Sequence, residues 1–331
     1  MPEDYPCDVS IGLVAIGRNE GDRLRKCLES VVGRVKKVVY VDSGSIDDSV
    51  EIALGLGVAV VELDMANPFT AARARNAGFR CLREILPELV YVQFIDGDCE
   101  VVPGWIEKAV KFLGEHQDTA VVCGRRRERF PKRSVYNMLC DMEWDTPVGE
   151  TKSCGGDAMM RVDAFVQSGG YRDDLIAGEE PELCLRLRTA GWKIWRLGEE
   201  MTLHDAAMRH FQQWWKRTKR SGYAYAEGTS LHGTLPERYQ VKEARRIWIW
   251  GLTIPVLIAV TVFWLGVCAL VMFLAYPLQV ARIALQGDRS VRENWWRALF
   301  LVLGKFPEAE GQLEFHYNKL RGRKAHLIEY K

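Results

Sequence analysis

Along the first 125 residues, short apolar runs of strand length alternate with stretches in which apolar residues recur at helical spacing. Val9 to Gly17, Lys37 to Val41, Ala59 to Leu63, Leu89 to Ile95 and Thr119 to Cys123 are expected as strands. Gly21 to Val32, Ile46 to Leu56, Thr70 to Ile85 and Pro103 to His116 are expected as the helices between them. Strand, helix, strand, helix in this order implies a mostly parallel sheet wound with helices.

Beyond Gly124 the clean alternation stops. A helical stretch is expected around Val135 to Trp144, a turn into a short strand at Gly155 to Met160, and a short helix from Asp163 to Ser168. Pro181 suits the first turn of a helix reaching about Ala190, so Glu179 and Glu180 stand at a helix N-terminus. Leu183 and Leu187 give that helix an inward face, and Glu182 with Arg186 forms an i,i+4 pair.

From Ile247 to Ala281 the chain runs 35 residues without an Asp, Glu, Lys, Arg or His. One straight helix of that length would measure about 52 Å, too long for a hydrocarbon core of about 30 Å. Two shorter helices turning near Trp264 to Gly266 fit better. Lys242, Arg245 and Arg246 precede the run and Arg282, Arg289 and Arg292 follow it, so the positive-inside bias places both ends on the cytoplasmic face. The expectation is a membrane-embedded hairpin or re-entrant pair holding the chain at the cytoplasmic side of an inner membrane; the alternative is an oligomer interface in a soluble protein. The expected division is an α/β domain over 1–240, split at 124/125 where the alternation stops, then a hairpin over 241–285 and an interfacial tail over 286–331. Phe211 to Tyr225 and Asn294 to Phe306 mix tryptophans with Lys and Arg, which suits either an anionic leaflet or internal aromatic packing.

A formal charge of +1 over 331 residues excludes a nucleic-acid protein at the whole-chain level. The basic run at Arg125, Arg126, Arg127, Arg129, Lys132 and Arg133 reads as a solvated face or, failing that, a contact for lipid or acceptor phosphates. Nine cysteines without Cys-x-x-Cys spacing read as reduced and buried, as in the cytosol, and the acidic start shows no signal peptide.

The candidate chemistry centres on Ile95-Asp96-Gly97-Asp98, two carboxylates one residue apart at the mouth of a buried strand. Ligands bind there in an open α/β sheet, and such a pair suits a divalent metal with the diphosphate it carries. Further motifs surround it: Arg18-Asn19-Glu20 after the first strand, Asp42-Ser43-Gly44-Ser45 after the second, Ala72-Arg73-Ala74-Arg75-Asn76-Ala77-Gly78 in the third helix, and Glu179-Glu180 opening a late one. Together they resemble the family 2 glycosyltransferases, nucleotide-sugar enzymes of the GT-A fold, over about the first two thirds of the chain.

The resemblance implies a donor site built from Glu20, Asp42, Arg75, Asn76, Asp96 and Asp98, with Asp98 as direct ligand of Mn or Mg, Asp96 on the ribose or metal, and His204 as a further ligand. It also implies Glu180, in place of the family's usual Asp, as general base of an inverting transfer from a nucleoside diphosphate sugar, UDP-linked by preference, to a lipid-linked or envelope saccharide. Gly156, Asp157, Glu179, Trp214 and Trp215 are expected on the acceptor side. Arg209 to Arg217 does not match the pattern of processive members. A nucleotidyltransferase is the competing reading, weakened by the lack of a glycine-rich phosphate loop after the first strand. A non-catalytic, membrane-anchored sugar-nucleotide binding protein is another. Paired carboxylates also serve glycoside hydrolysis, which needs no nucleotide-binding half.

Overall fold

The computed structural model describes residues 9–323. They form two compact units, one of residues up to 132 with 140–207, the other of 133–139 with 208 onward.

The first unit runs β1 (Ile11–Gly17), α1 (Asp22–Glu29), β2 (Lys37–Asp42), α2 (Ser49–Gly55), β3 (Ala59–Glu62), α3 (Ala71–Ile85), β4 (Tyr91–Asp96), β5 (Cys99–Val101), α4 (Trp105–Glu115) and β6 (Thr119–Glu128). It continues through α5 (Val135–Glu143), which crosses the division, then β7 (Gly149–Glu150), β8 (Ala158–Arg161), α6 (Val162–Gln167), α7 (Glu179–Thr189) and β9 (Lys193–His204). The strands form one sheet in the order β3-β2-β1-β4-β8-β6-β9-β5, with β7 beside β9. β1, β2, β3 and β4 are parallel, whereas β8 runs antiparallel to both β4 and β6. The chain builds outward from β1 to β3 and then crosses to β4 on the other side of β1. The switch point therefore lies between the C-terminal ends of β1 and β4, where Ile16 is in register with Asp96.

Leu13, Val14, Val39, Val41, Phe94 and Ile95 are fully or almost fully buried, as expected of strands covered on both faces. Gly78 on α3 lets that helix lie close to the sheet, because a Cβ there would stand 2.4 Å from Val14 Cγ1 and 2.8 Å from Val41 Cγ2. α2 starts at Ser49, later than its apolar pattern suggests, because the preceding backbone is bonded elsewhere. Ser45 N–H donates to Asp42 (2.8 Å), Ile46 N–H to Asn19 Oδ1 (2.8 Å), and Ser49 Oγ accepts from the N–H groups of Glu20 and Gly21 (3.2 and 3.1 Å).

Two features depart from the sequence pattern. β6 continues past Cys123 to Glu128, and its parallel partner β9 has no apolar signature, since Arg196, Glu199 and Glu200 interrupt it. The register between them shifts around Cys123, Arg125 and Arg126, which lets the charged segment pair without strict alternation. The basic run is only in part a solvated face: Lys132 and Arg133 are exposed, while the arginines before them are paired. Arg125 pairs with Asp141 and Asp145, Arg127 with Asp141 and Glu200, and Arg129 with Glu100.

The second unit is helical: α8 (Phe211–His232), α9 (Val241–Trp248), a π-helical segment Ile249–Thr253, α10 (Ile254–Leu265), a 3-10 segment Gly266–Leu274, α11 (Ala275–Leu285), α12 (Val291–Leu303) and α13 (Lys305–Leu320). Residues 241–264 are continuously helical, long and apolar enough to cross a membrane. The chain reverses at Gly266, whose φ of +66° is open to glycine. Tyr276 Oη donates to Trp250 O (2.8 Å) and Thr261 Oγ1 to Met272 Sδ (3.4 Å), so the two arms run antiparallel as a hairpin.

α8 belongs to this unit, so the division falls near 208 and not at 240. The reason is its contact with α13: a Cβ on Gly222 would stand 2.1 Å from Glu308 O, and one on Gly311 2.0 Å from Lys219 O. Lys219 Nζ reaches Glu310 and Glu314 at 2.7 and 2.8 Å. Part of the expected leaflet-facing charge is thus neutralised within the unit.

Candidate active site

The Asp-x-Asp turn is fixed from beneath. Gly97 N–H donates to Ile16 O (2.8 Å), and Asp96 N–H donates to Asp157 Oδ1 (3.1 Å). Asp157, fully buried, also accepts from Thr202 Oγ1 (2.7 Å) and pairs with Arg126 Nη2 (2.7 Å). Expected to meet the acceptor, Asp157 instead supports the turn.

β5 follows the turn and lies antiparallel to the end of β9, with Cys99 opposite His204. That pairing brings His204 Nε2 to 3.2 Å from Asp98 Oδ2. Asp98 and His204 are both buried, and Asp205 N–H donates to Asp98 O (3.1 Å). His204 Nδ1 lies 3.6 Å from Glu128 Oε2 and makes no hydrogen bond, while Trp144 stands edge-on to the imidazole at 4.7 Å. Burial opposes the imidazolium, but the charge and hydrogen bond of Asp98, with Glu128 behind, outweigh it and raise the His204 pKa. A carboxylate oxygen beside an imidazole nitrogen, with the Glu128 carboxylate behind the second nitrogen, is a donor set that suits a divalent cation.

Asp96 faces cations. Arg75 Nη2 lies 2.8 Å from Oδ1 and Arg126 Nη2 3.4 Å from Oδ2. Burial alone would raise the Asp96 pKa, yet the two guanidinium groups hold it below the ordinary value. Arg75 is itself buried, and its Nη1 reaches Glu179 Oε1 at 2.7 Å, so one guanidinium joins the Asp-x-Asp turn to the start of α7. Gly156 is needed beside this pair: a Cβ there would stand 2.8 Å from Arg75 Nη2 and 3.1 Å from Asp96 Oδ2.

Glu179 and Glu180 open α7 after Gly178, which takes a φ of +78°. Their side chains diverge. Glu179 turns to Arg75, whereas Glu180 is 5% exposed and its Oε1 accepts from Cys154 N–H (2.6 Å) and from the thiols of Cys154 and Cys184 (3.1 Å each). The residue expected as general base thus points into a thiol pocket, away from Arg75 and Asp96.

The remaining expected donor residues line the ends of β1, β2 and α3. Asp42 is buried and accepts from Tyr40 Oη (2.9 Å), Ser45 Oγ (2.5 Å) and the N–H groups of Gly44 and Ser45 (2.9 and 2.8 Å), so its carboxylate shapes the loop. Glu20 pairs with Arg23 (2.8 Å) at the edge of the same loop. Asn76 does not face outward: its Nδ2 donates to Tyr171 O and Asp173 Oδ1 (2.7 Å each), and its Oδ1 accepts from Tyr171 N–H (3.0 Å).

Trp214 and Trp215, expected as sugar platforms, belong to the helical unit. Trp214 is buried against Phe300 (ring centroids 4.8 Å), and Trp215 Nε1 donates to Glu310 Oε2 (3.0 Å). With its faces packed, the Trp214 ring has no side left for a sugar. Arg126 and Glu128 are the residues that sequence reasoning missed. Their signal was the alternation along β6, where Arg126 and Glu128 turn toward Asp96 and His204 while Arg125 and Arg127 turn to Asp141.

A parallel sheet with its switch point at β1/β4, an Asp-x-Asp turn beneath it and a carboxylate pair opening a later helix are the features of a GT-A fold. Residues 14–164 match the model of glycosyl transferase family 2, and the chain is a glycosyltransferase. Glycosyltransferase AglE of Haloferax volcanii is 24% identical over 218 residues, spanning 62% of this chain and 69% of its own. Among solved structures, the mannosyltransferase PcManGT from Pyrobaculum calidifontis, in complex with GDP-Man and Mn2+, superimposes with a TM-score of 0.59 at 16% identity, over 92% of this chain and 86% of its own. TarS 1-349 of S. aureus gives a TM-score of 0.50 at 12% identity, over 95% and 92%. At these identities the likeness shows the fold.

Proposed function

We propose that this glycosyltransferase moves a sugar from a nucleoside diphosphate sugar to the hydroxyl of a lipid-linked or envelope saccharide, with inversion, at the cytoplasmic face of a membrane. The observation that carries the reading is the Asp98 to His204 contact of 3.2 Å at the β1/β4 switch point. Asp98 and His204 would hold the divalent cation, with Asp96 beside them. Held by these residues, a cation would supply positive charge against the diphosphate leaving group.

The chain's own cations act in the same direction. Arg75 and Arg126 set two buried positive charges against Asp96, next to where a diphosphate approaches. The loops after β1 and β2, cross-linked through Asn19, Ser45 and Ser49, supply the ledge for the base and ribose. Glu179, and not Glu180, is the carboxylate aimed at this cluster; it accepts the proton of the attacking acceptor hydroxyl at its carboxylate oxygens. Attack from the face opposite the leaving group converts an α-linked donor into a β-linked product. PcManGT is described with GDP-Man, and UDP is the family's commoner carrier, so both nucleotides belong in the test.

The test is binding of a panel of nucleoside diphosphates to detergent-purified protein, with and without manganese, beside Asp98→Asn. Manganese-dependent binding of one diphosphate that disappears in the variant is the expected result. Binding indifferent to metal and to Asp98 would refute the site, and release of pyrophosphate during turnover would favour nucleotidyl transfer.

A further inference from the structure

Away from the Asp98 and His204 pair, the first unit contains a second group of ligating side chains. Cys184 and Glu180 lie four residues apart on one face of α7, and the loop between β7 and β8 brings Cys154 to them. The two sulfurs are 3.7 Å apart, each thiol donates to Glu180 Oε1 at 3.1 Å, and the three donor atoms lie within 4.8 Å of one another.

Buried cysteines usually behave as small apolar side chains. These two instead converge on one carboxylate oxygen. Two sulfurs about 2.3 Å from a tetrahedral cation stand about 3.8 Å apart, and a sulfur and a carboxylate oxygen about 3.6 Å apart. The sulfur pair therefore already has the edge length of such a site, and the sulfur-to-oxygen distances need to open by only about 0.5 Å.

We infer that Cys154, Cys184 and Glu180 form a binding site for a thiophilic divalent cation of the zinc and cadmium class, separate from the site at Asp98 and His204. The cation replaces both thiol protons, forming two metal–sulfur bonds and releasing two protons to solvent, with Glu180 as third ligand and a fourth position left for water. Donor softness favours the thiophilic ion here: this group offers two thiols, whereas the one at Asp98 and His204 offers only Cys99 beside its carboxylate and imidazole. Entry is short, because Cys154 is flanked by the exposed Lys152, Ser153 and Gly155. Burial raises the thiol pKa of both Cys154 and Cys184. Both sulfurs are therefore protonated until a cation displaces the protons. Occupancy would tie the first turn of α7 to the 151–157 loop. The inference stands independently of the role given to Glu179.

The test is cadmium titration of the reduced, detergent-solubilised full chain in excess manganese, followed by the near-ultraviolet absorbance of the cadmium–thiolate bond and by thermal melting. Saturation at one equivalent, with a higher melting midpoint, is expected for the parent chain and for Asp98→Asn. Cys154→Ser and Cys184→Ser should each lose both responses. Glu180→Gln keeps both sulfurs and should weaken binding at least about tenfold while still giving the absorbance band, which separates loss of a ligand from loss of the fold. Absorbance that persists unchanged in Cys184→Ser, disappears in Cys268→Ser, or is absent from the folded parent chain would overturn the site.

Discussion

Glu179 and Glu180 are neighbours in sequence and point to different chemistry. At a helix start, consecutive side chains diverge by about 100°, so the pair cannot share one task. Glu179→Gln is expected to lower kcat by about 10²-fold or more with little change in donor KM, as loss of a general base does, and Glu180→Gln to lower it far less. Steady-state kinetics on the two variants decides between them; the reverse order would return the base to Glu180. Arg126 gives a second prediction at this scale. Its guanidinium binds Asp157 and Asp96; Asp96 keeps Arg75, but Arg126→Met leaves the fully buried Asp157 without its cation and should cost roughly 3–5 kcal/mol in urea unfolding. Asp96 and Asp98 were legible as residues because an Asp-x-Asp ends an apolar strand. Which carboxylate is tied to arginine and which to histidine was not, since Arg126 and His204 arrive from β6 and β9.

At the scale of elements, the first four parallel strands and the helices between them followed from apolar run length and helical spacing, with boundaries shifted by a few residues. The shifts have local causes, as where Asn19 and Asp42 claim the backbone that would have begun α2. β9 escaped notice because its charged positions are satisfied by partners far away in sequence: Arg196 donates to Trp144 O (2.6 Å), and Glu200 pairs with Arg127. Helix–sheet packing offers a direct check. Gly78→Ala drives a methyl group into Val14 and Val41 in a covered sheet, and overpacking of this kind should cost about 1–3 kcal/mol, read as a lower urea midpoint at unchanged m-value.

For the whole molecule, the decisive segment is the hairpin of the helical unit. Val256, Leu257, Val260, Phe263 and Trp264 are all exposed, Trp264 at 77%, a run of apolar surface that needs a cover. Trp264 beside the Gly266 turn and Trp248, Trp250 and Tyr276 at the open end place aromatic residues at both ends of the arms, as at membrane interfaces. The chain is expected to stay in the membrane fraction after an alkaline carbonate wash, and a variant with Val260→Asp and Phe263→Asp to be released as folded protein. Release of the parent chain as a stable oligomer would point to the interface alternative.

The sequence by itself determined what local periodicity and run length encode: a parallel strand-helix half, the carboxylates at its mouth, the helix opened by Glu179, and an apolar segment too long for one span. Only tertiary structure decided the partners of those groups. Asp98 meets His204 across 105 intervening positions because β5 pairs with β9. Trp214 turns inward because α12 brings Phe300 against it, ring centroids 4.8 Å apart. Glu180 meets two thiols because the 151–157 loop folds over α7. The physical reason is the same in each case: a buried charge or ring is assigned its role by what surrounds it, and those surroundings are assembled from strands and loops that the chain order keeps far apart.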